Sequence, residues 1–440
     1  MRFKIFNIIK TFFKNAVVIN ASWLIIGRIA QMLISFVVGI LSARYLGPSN
    51  YGLLNYATAY TSFFAAFCTL GINSVLVKEF IENPEEEGEI IGSSLVLKAL
   101  SSLFSAVMII SIVSIIDAGE KTTIWVVAIS SIGLLFQIFE TINYWFQSKL
   151  RSKVTAIVSF TAYTVMALYK IVLLILEKSV IWFAFSLSLD YICIAILLLC
   201  AYFKYGGSKL KFSISTGKRI LGQSYHFILA SLMVAIYGYT DKFMLKQMVG
   251  ASEVGYYSIA VAICGMWCFV LSAIIDSLYP GIMKAHSLDK QTFEKKNKEL
   301  YAIVFYVSTI VSILICILAE IIIIVLYGEQ YYGSILPLRI VTWYTAFSYL
   351  GVARNAWVVC EEKQKYLKYI YLMSAIINIV INLLFIPLWG ASGAAFASLI
   401  TQIATIFIAP WFIKETRRNS RLMLESICLI GIMPRKPKDV

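Results

Sequence analysis

The chain has 440 residues, 60% of them hydrophobic and only 14% charged, with a mean hydropathy of +0.81. A water-soluble fold of this length has no way to bury so much apolar surface, so lipid must solvate most of it. The formal charge of +14 decorates short segments between apolar runs rather than one folded face, which excludes a nucleic-acid-binding reading.

A helix that crosses a bilayer needs about 20 mostly apolar residues. In chain order such runs lie near 16–41, 53–77, 93–116, 122–147, 154–176 and 180–203, then near 219–246, 256–280, 300–327, 334–359, 367–389 and 391–413. They are rich in Leu, Ile, Val and Phe and lack the period-2 alternation of an outer-membrane barrel. The expectation is an all-α polytopic membrane protein of about 12 transmembrane helices. The first run follows the basic stretch MRFKIFNIIKTFFKN, is too long for the apolar part of a cleaved signal, and has no small-residue cleavage site. Seven of the eight cysteines fall in or at the edge of apolar runs, and Cys428 is in the tail. Cys264 and Cys268 share a helix face, but no histidine or second cysteine pair completes a zinc pattern. No metal site is expected.

Basic residues lie overwhelmingly on one side. The N-terminus, the loops around Lys78, Lys149–Lys153, Lys204–Arg219, Lys284–Lys298 and Lys363–Lys368, and the tail from Lys414 hold 28. The opposite side holds four: Arg44, Lys121, Lys178 and Arg339. By the positive-inside rule both termini are cytoplasmic, which also requires an even number of spans. The acidic run ENPEEEGE (Glu82–Glu89) reads as a solvated loop.

A phrase is repeated. YLGPSNYGLLNYATAY (Tyr45–Tyr60) returns as MVGASEVGYYSIAVAI (Met248–Ile263), with Gly47, Ser49, Gly52 and Ala57 answered by Gly250, Ser252, Gly255 and Ala260. Both copies follow an odd-numbered helix, so they face the same side and run in the same sense. Parallel half-chains of six helices follow, related by an axis along the membrane normal. The expected layout is an N-terminal lobe at 1–203, a cytoplasmic linker at 204–218, a C-terminal lobe at 219–413 and a basic cytoplasmic tail at 414–440. Two pseudo-symmetric lobes around a central cavity are the architecture of a transporter.

Four segments carry a family resemblance: NASWLIIGRIAQMLISFVVGILSARYLGPSNYGLLNYA, YTDKFMLKQMVGASEVGYYSIA, LYGEQYYGSILPLRI and PLWGASGAAFASLI. With them the chain resembles the polysaccharide-transport branch, the O-antigen flippases, of the multidrug/oligosaccharidyl-lipid/polysaccharide exporter superfamily. The resemblance implies a protein of the bacterial inner membrane that is not an enzyme. It would move undecaprenyl-diphosphate-linked oligosaccharide units from the cytoplasmic to the periplasmic leaflet by alternating access. Capsule or exopolysaccharide repeat units are alternative cargoes, and a cation-coupled drug exporter is a further alternative. The implied partners are that glycolipid and membrane lipids, with the polymerase and chain-length machinery left open. No cofactor is implied; coupling to a proton or sodium gradient is open. The chain has no GxxxxGK[ST] phosphate loop.

Charge within a spanning helix costs a few kcal/mol on insertion scales and therefore faces a cavity or a partner. Arg28 and Arg354 are candidates to line a cationic lumen, because a guanidinium pairs bidentately with phosphate and keeps its charge. Lys170 is a third lumen candidate, with a structural pair to Asp190 as the competing reading. Glu140, Asp190 and Asp241 are the coupling or gating candidates, Asp241 because it matches an acidic position typical of the resembled family's seventh helix. Lys98 falls close enough to a helix end to snorkel and receives no role.

Overall fold

The computed structural model describes residues 16–430, with side chains for all of these except 16–22, 24–26, 28, 229, 230 and 237. The described residues are almost entirely helical, and none is in a β-strand. Helices α1 (16–46) and α2 (48–68) run as one continuous element interrupted only at Gly47 (φ 72°), with Pro48 opening the second half. They are followed by the short α3 (Asn73–Glu82) and by α4 (Glu87–Ile116). Next comes α5 (121–148), a broken span assembled from Lys121–Ser131, Gly133–Gln137, a 3₁₀ turn at Ile138–Glu140 and Thr141–Ser148. Helices α6 (Ser152–Ile175), α7 (Val180–Lys204), α8 (Ile214–Met248), α9 (Ala251–Leu288), α10 (Lys290–Tyr327) and α11 (Ile335–Cys360) succeed one another through short connections. A second kink at Gly390 (φ 52°) separates α12 (367–389) from α13 (391–412), and α14 (Arg417–Ile427) closes the described chain.

Leaving out the short α3 and α14, the described residues form twelve helices of spanning length. Eight stretches are long and apolar enough to cross a membrane, and the two kinks fall inside two of those eight. The outward faces explain why. On α4, Leu100, Leu103, Phe104 and Val107 form an exposed stripe at helical spacing, while Ser94, Lys98, Ser102 and Ser105 are buried. On α10, Ile310, Ile313, Leu314, Ile317 and Ile321 are exposed and Ser308 and Ser312 are buried. Small residues inside and large apolar ones outside is the pattern of helices packed in lipid, where close backbone approach rather than water exclusion drives association.

The described chain clusters into two units. The first holds the residues up to Leu46 and Leu53–Ala235; the second holds Gly47–Gly52 and the residues from Ile236 on.

In the first unit the core gathers Ile90, Ile91, Phe146 and Tyr202 around Trp145, whose ring meets Tyr202 edge-on at 4.8 Å between centroids. The Trp145 indole donates to Glu87 (2.8 Å), which also pairs with Lys149 (2.6 Å). The acidic run is therefore not a free solvated loop. Glu79 and Glu86 accept from Arg219 at 3.1 and 2.6 Å, Glu89 accepts from Thr216 at 3.3 Å, and the Lys211 amide donates to the Gly88 carbonyl. The run, together with Glu79, thus holds the first turns of α8 and the Lys211 backbone just before it.

In the second unit Tyr331 is fully buried, with Tyr51, Tyr256 and Tyr327 set edge-on around it at 5.8–6.4 Å. Glu253 accepts from the Ala391 amide (2.6 Å), placing a carboxylate at the N-terminus of α13, where the helix dipole favours it. The segment expected as a basic tail contains α14, which is docked on α10. Arg418 pairs with Glu294, Lys298 with Glu425 at 3.3 Å, and Asn419 donates to the Tyr301 hydroxyl at 2.7 Å. The Glu294 hydrogen bonds hold the Arg418 guanidinium above its ordinary pKa.

Candidate functional site

The first unit holds a polar, half-open cavity of about 330 Å³. Its wall is built from helical faces whose residues recur every three or four positions. The second half of α5 supplies Glu140, Asn143, Tyr144 and Gln147, and α6 supplies Ser152, Thr155, Ser159 and Tyr163, with Gln31 entering from α1. The break in α5 aims this face inward. Where α5 meets α7, the Gly133 amide donates to Ser188 Oγ (3.0 Å), which in turn donates to the Ile129 carbonyl (2.5 Å). Glu140 then sits on the tighter 3₁₀ turn that restarts the helix. Asn143 Oδ1 is buried without a hydrogen-bond partner among the described residues.

Behind Glu140 lies a second, much smaller pocket, lined on its far side by Lys98 and Asn73. Lys98 is 2% exposed and does not snorkel: its ammonium donates to Asn73 Oδ1 (2.6 Å) and Thr141 Oγ1 (2.7 Å). The reason is the true start of α4 at Glu87, which puts Lys98 roughly 16 Å along the helix rather than near its end. Treating the acidic run as loop hid this residue; recognising it as the helix N-terminus would have found it.

The second unit holds a carboxylate hub. Asp241 on α8 is buried, and Oδ1 accepts from Asn382 Nδ2 at 2.6 Å. Oδ2 accepts from the Tyr257 hydroxyl at 2.7 Å and the Ser398 hydroxyl at 2.5 Å. Asn382 also donates to Asn378 Oδ1 (3.1 Å), and its own Oδ1 is buried without a partner among the described residues. Four helices, α8, α9, α12 and α13, thus meet on one carboxylate. A carboxyl group buried in a low-dielectric interior needs its acceptor capacity met in this way.

The other sequence candidates are placed as follows. Lys170 and Asp190 form an ion pair between α6 and α7 at 3.6 Å, with Asp190 Oδ1 otherwise unpartnered. Arg354 is 2% exposed and donates through Nη1 to the Thr405 carbonyl at 3.1 Å, in the π-helical turn of α13. Nε of Arg354 has no partner, and no carboxylate pairs with it among the described residues. It is a packed cation of the second unit's core, beside Leu350, Ala353 and Trp357, and presents no open surface to a cargo. The side chain of Arg28 lies outside the described residues.

Residues 17–286 match the family described as polysaccharide biosynthesis protein. The chain belongs to that family. It is 22% identical over 407 residues to the capsular polysaccharide biosynthesis protein CapF of Staphylococcus aureus, covering 90% of this chain and 99% of the relative. Its fold is shared with the lipid II flippase MurJ in an inward closed conformation (TM-score 0.71, 16% identity, 95% of this chain and 94% of the other). It is also shared with an inward-facing multidrug resistance MATE family transporter of the MOP superfamily (TM-score 0.67, 15% identity, 90% and 96%). The all-α, twelve-helix expectation agrees with the shared fold, and the polysaccharide branch of the sequence resemblance agrees with the family match. The polar cavity in the first unit and the carboxylate hub in the second are two places among the described residues where polar groups gather within the helical units.

Proposed function

We propose that the chain translocates an undecaprenyl-diphosphate-linked oligosaccharide repeat unit from the cytoplasmic to the periplasmic leaflet of the inner membrane by alternating access. Family membership over residues 17–286 carries the reading. The fold it shares with a lipid II flippase supports it. On this reading both termini are cytoplasmic, as the basic asymmetry requires, and Asp241 couples transport to a proton or sodium gradient. Glu140 and the Lys170–Asp190 pair are secondary coupling candidates, and Arg28 remains the candidate for holding the diphosphate.

Two cargo classes compete. The O-antigen unit follows from the sequence resemblance. The capsule unit is favoured by the relative named for capsular polysaccharide, which aligns along nearly all of its own length. A deletion strain tests both. Lipid-linked repeat units should accumulate in the cytoplasmic leaflet, and the surface polymer that disappears names the cargo. Normal amounts of every surface polysaccharide, with no accumulated intermediate, would reject the transport reading.

A further inference from the structure

At the end of the first unit that the basic asymmetry assigns to the cytoplasm, cations and aromatic rings interleave on the surface. The turn from α5 to α6 supplies Arg151 and Lys153, and the end of α7 supplies Lys204 and Tyr205, all four exposed. The Arg151 guanidinium lies over the Tyr205 ring at 5.7 Å, and the Lys153 ammonium lies over Trp23 of α1 at 5.1 Å. Tyr205 is itself held edge-on against Phe146 at 5.9 Å. None of the three cations pairs with a carboxylate among the described residues. Glu87, the carboxylate that reaches this turn, is already engaged by Lys149 and the Trp145 indole. The sequence before Trp23 adds four more cations and no acid.

Leu150, between Lys149 and Arg151, adds an apolar tip. Its backbone is left-handed (φ 53°) and its side chain is exposed, which costs backbone strain and apolar hydration together. The second unit shows that the turn does not demand a leucine. There α11 ends in the same turn: the Lys363 amide donates to the Val358 carbonyl as the Arg151 amide does to that of Phe146. Glu362 takes the left-handed position (φ 55°). Lys149, Leu150 and Arg151 thus answer to Glu361, Glu362 and Lys363. One turn carries a basic and apolar tip in the first unit and a mainly acidic one in the second. Water favours the acidic tip; a bilayer surface of negative headgroups favours the basic and apolar one. Behind the cations run exposed apolar stripes, with Ile157 and Phe160 on α6 and Ile196 and Phe203 on α7. The Lys170–Asp190 pair joins these two helices.

We infer that this patch binds the headgroup of an anionic phospholipid, with Arg151, Lys153 and Lys204 donating to its phosphate and the acyl chains lying along α6 and α7. Guanidinium and ammonium groups are the strong donors to phosphate oxygens, the rings beside Arg151 and Lys153 steady them, and Leu150 enters the bilayer next to them. The lipid is a bound membrane component rather than cargo. The inference therefore goes beyond the transport reading and needs only that this end of the unit meets a leaflet with negative headgroups.

Native mass spectrometry of the purified full-length protein tests it, with phosphatidylglycerol, phosphatidylcholine and undecaprenyl diphosphate titrated in turn. The wild type should retain phosphatidylglycerol in preference to phosphatidylcholine, whose choline cancels the phosphate charge. Arg151→Gln together with Lys153→Gln should weaken phosphatidylglycerol binding roughly twenty-five-fold, about fivefold for each cation, and leave phosphatidylcholine unchanged. Lys365→Gln together with Lys368→Gln removes the same charge beside the equivalent turn of the second unit, where both cations are exposed and stand over tyrosine rings. That pair should leave phosphatidylglycerol binding unchanged. Leu150→Asn keeps a residue that tolerates the left-handed turn, so binding should weaken severalfold while the thermal midpoint holds. Every altered side chain is exposed or half-exposed, so the variants remain folded. Equal weakening by the two double variants would reduce the effect to net charge and overturn the site, as would a wild type that does not distinguish the two phospholipids. Unchanged binding in Leu150→Asn overturns the entry of that side chain into the bilayer. If the first double variant loses undecaprenyl diphosphate but keeps phosphatidylglycerol, the patch belongs to the cargo and the phospholipid assignment is overturned. Loss of the phospholipid site would leave the transport reading standing, because its own test is the accumulated lipid-linked intermediate.

Discussion

Gly52 and Gly255, equivalent positions in the two copies of the repeated phrase, each lie against the backbone that opens the other copy's helix. A Cβ on Gly52 would fall 1.8 Å from the Ala251 carbonyl oxygen, and one on Gly255 would fall 2.2 Å from that of Pro48. Gly47 and Gly250, five residues before each, take positive φ and make the turns that allow this mutual approach. Residues 48–52 and 251–255, both within the second unit, thus close on one another.

The first prediction follows from that fit. Gly52→Ala and Gly255→Ala each add a methyl group where backbone, which cannot rotate aside, already stands. Each should lower stability by about 1–3 kcal/mol, read as a drop in the thermal midpoint of the purified protein. The same change at Gly265, where nothing lies within 4 Å of the added carbon, should be close to neutral. Equal tolerance at all three positions would mean that residues 48–52 and 251–255 do not hold one another.

Arg354 gives the second. A buried guanidinium with one carbonyl partner is costly to keep and costly to break. Arg354→Met removes the charge but leaves the Thr405 carbonyl of the π-helical turn without its side-chain donor. Stability should fall by about 1–3 kcal/mol while affinity for the lipid-linked cargo stays near wild type. Loss of affinity with unchanged stability would instead return Arg354 to the cargo-binding role that its charge alone suggested.

How far such roles can be read from a sequence depends on the physical signal each leaves. The twelve helices were legible because an apolar run of spanning length has few alternatives, and Gly47 and Gly390 were legible as breaks because the phrases around them are punctuated by glycine and proline. Charges in mid-membrane announce themselves by their cost, which is how Glu140, Asp190 and Asp241 stand out. Their surroundings do not. Asn378, Asn382 and Ser398 are uncharged and far along the chain from Asp241, so only the fold brings them together. Lys98 was hidden for a different reason: a helix that begins with six residues of mixed polarity looks shorter than it is, and its lysine then seems to lie near the end.

The third prediction tests that lysine. Lys98→Met takes the ammonium donor from Asn73 Oδ1 and Thr141 Oγ1 and leaves the Glu140 carboxylate without the cation across the small pocket. The thermal midpoint should fall, by about 1–3 kcal/mol in stability. Adding Glu140→Gln to the same chain should recover part of the loss, because a buried charge costs less once its counterpart has also been removed. A double variant as unstable as the sum of the two single ones would show that Lys98 and Glu140 do not sense each other.

The fourth concerns Asp241, where three donors from α9, α12 and α13 converge on one carboxylate. Such convergence can serve packing or exchange. The two are separable because packing needs the shape of the group and exchange needs its charge. Asp241→Asn keeps the size and one carbonyl acceptor but removes the negative charge, so the protein should reach the membrane at near-normal level. If Asp241 couples transport, proteoliposomes containing the wild type should move lipid-linked oligosaccharide faster when a proton or sodium gradient is imposed. The variant should run at the same slow rate with and without the gradient, since an amide cannot take up and release the coupling cation. Asn382→Ala keeps the charge but removes a donor, so it should retain the response to the gradient and lose stability instead. A variant Asp241→Asn that still answers the gradient would make the hub a packing device and move the search for the coupling group to Glu140 or Asp190.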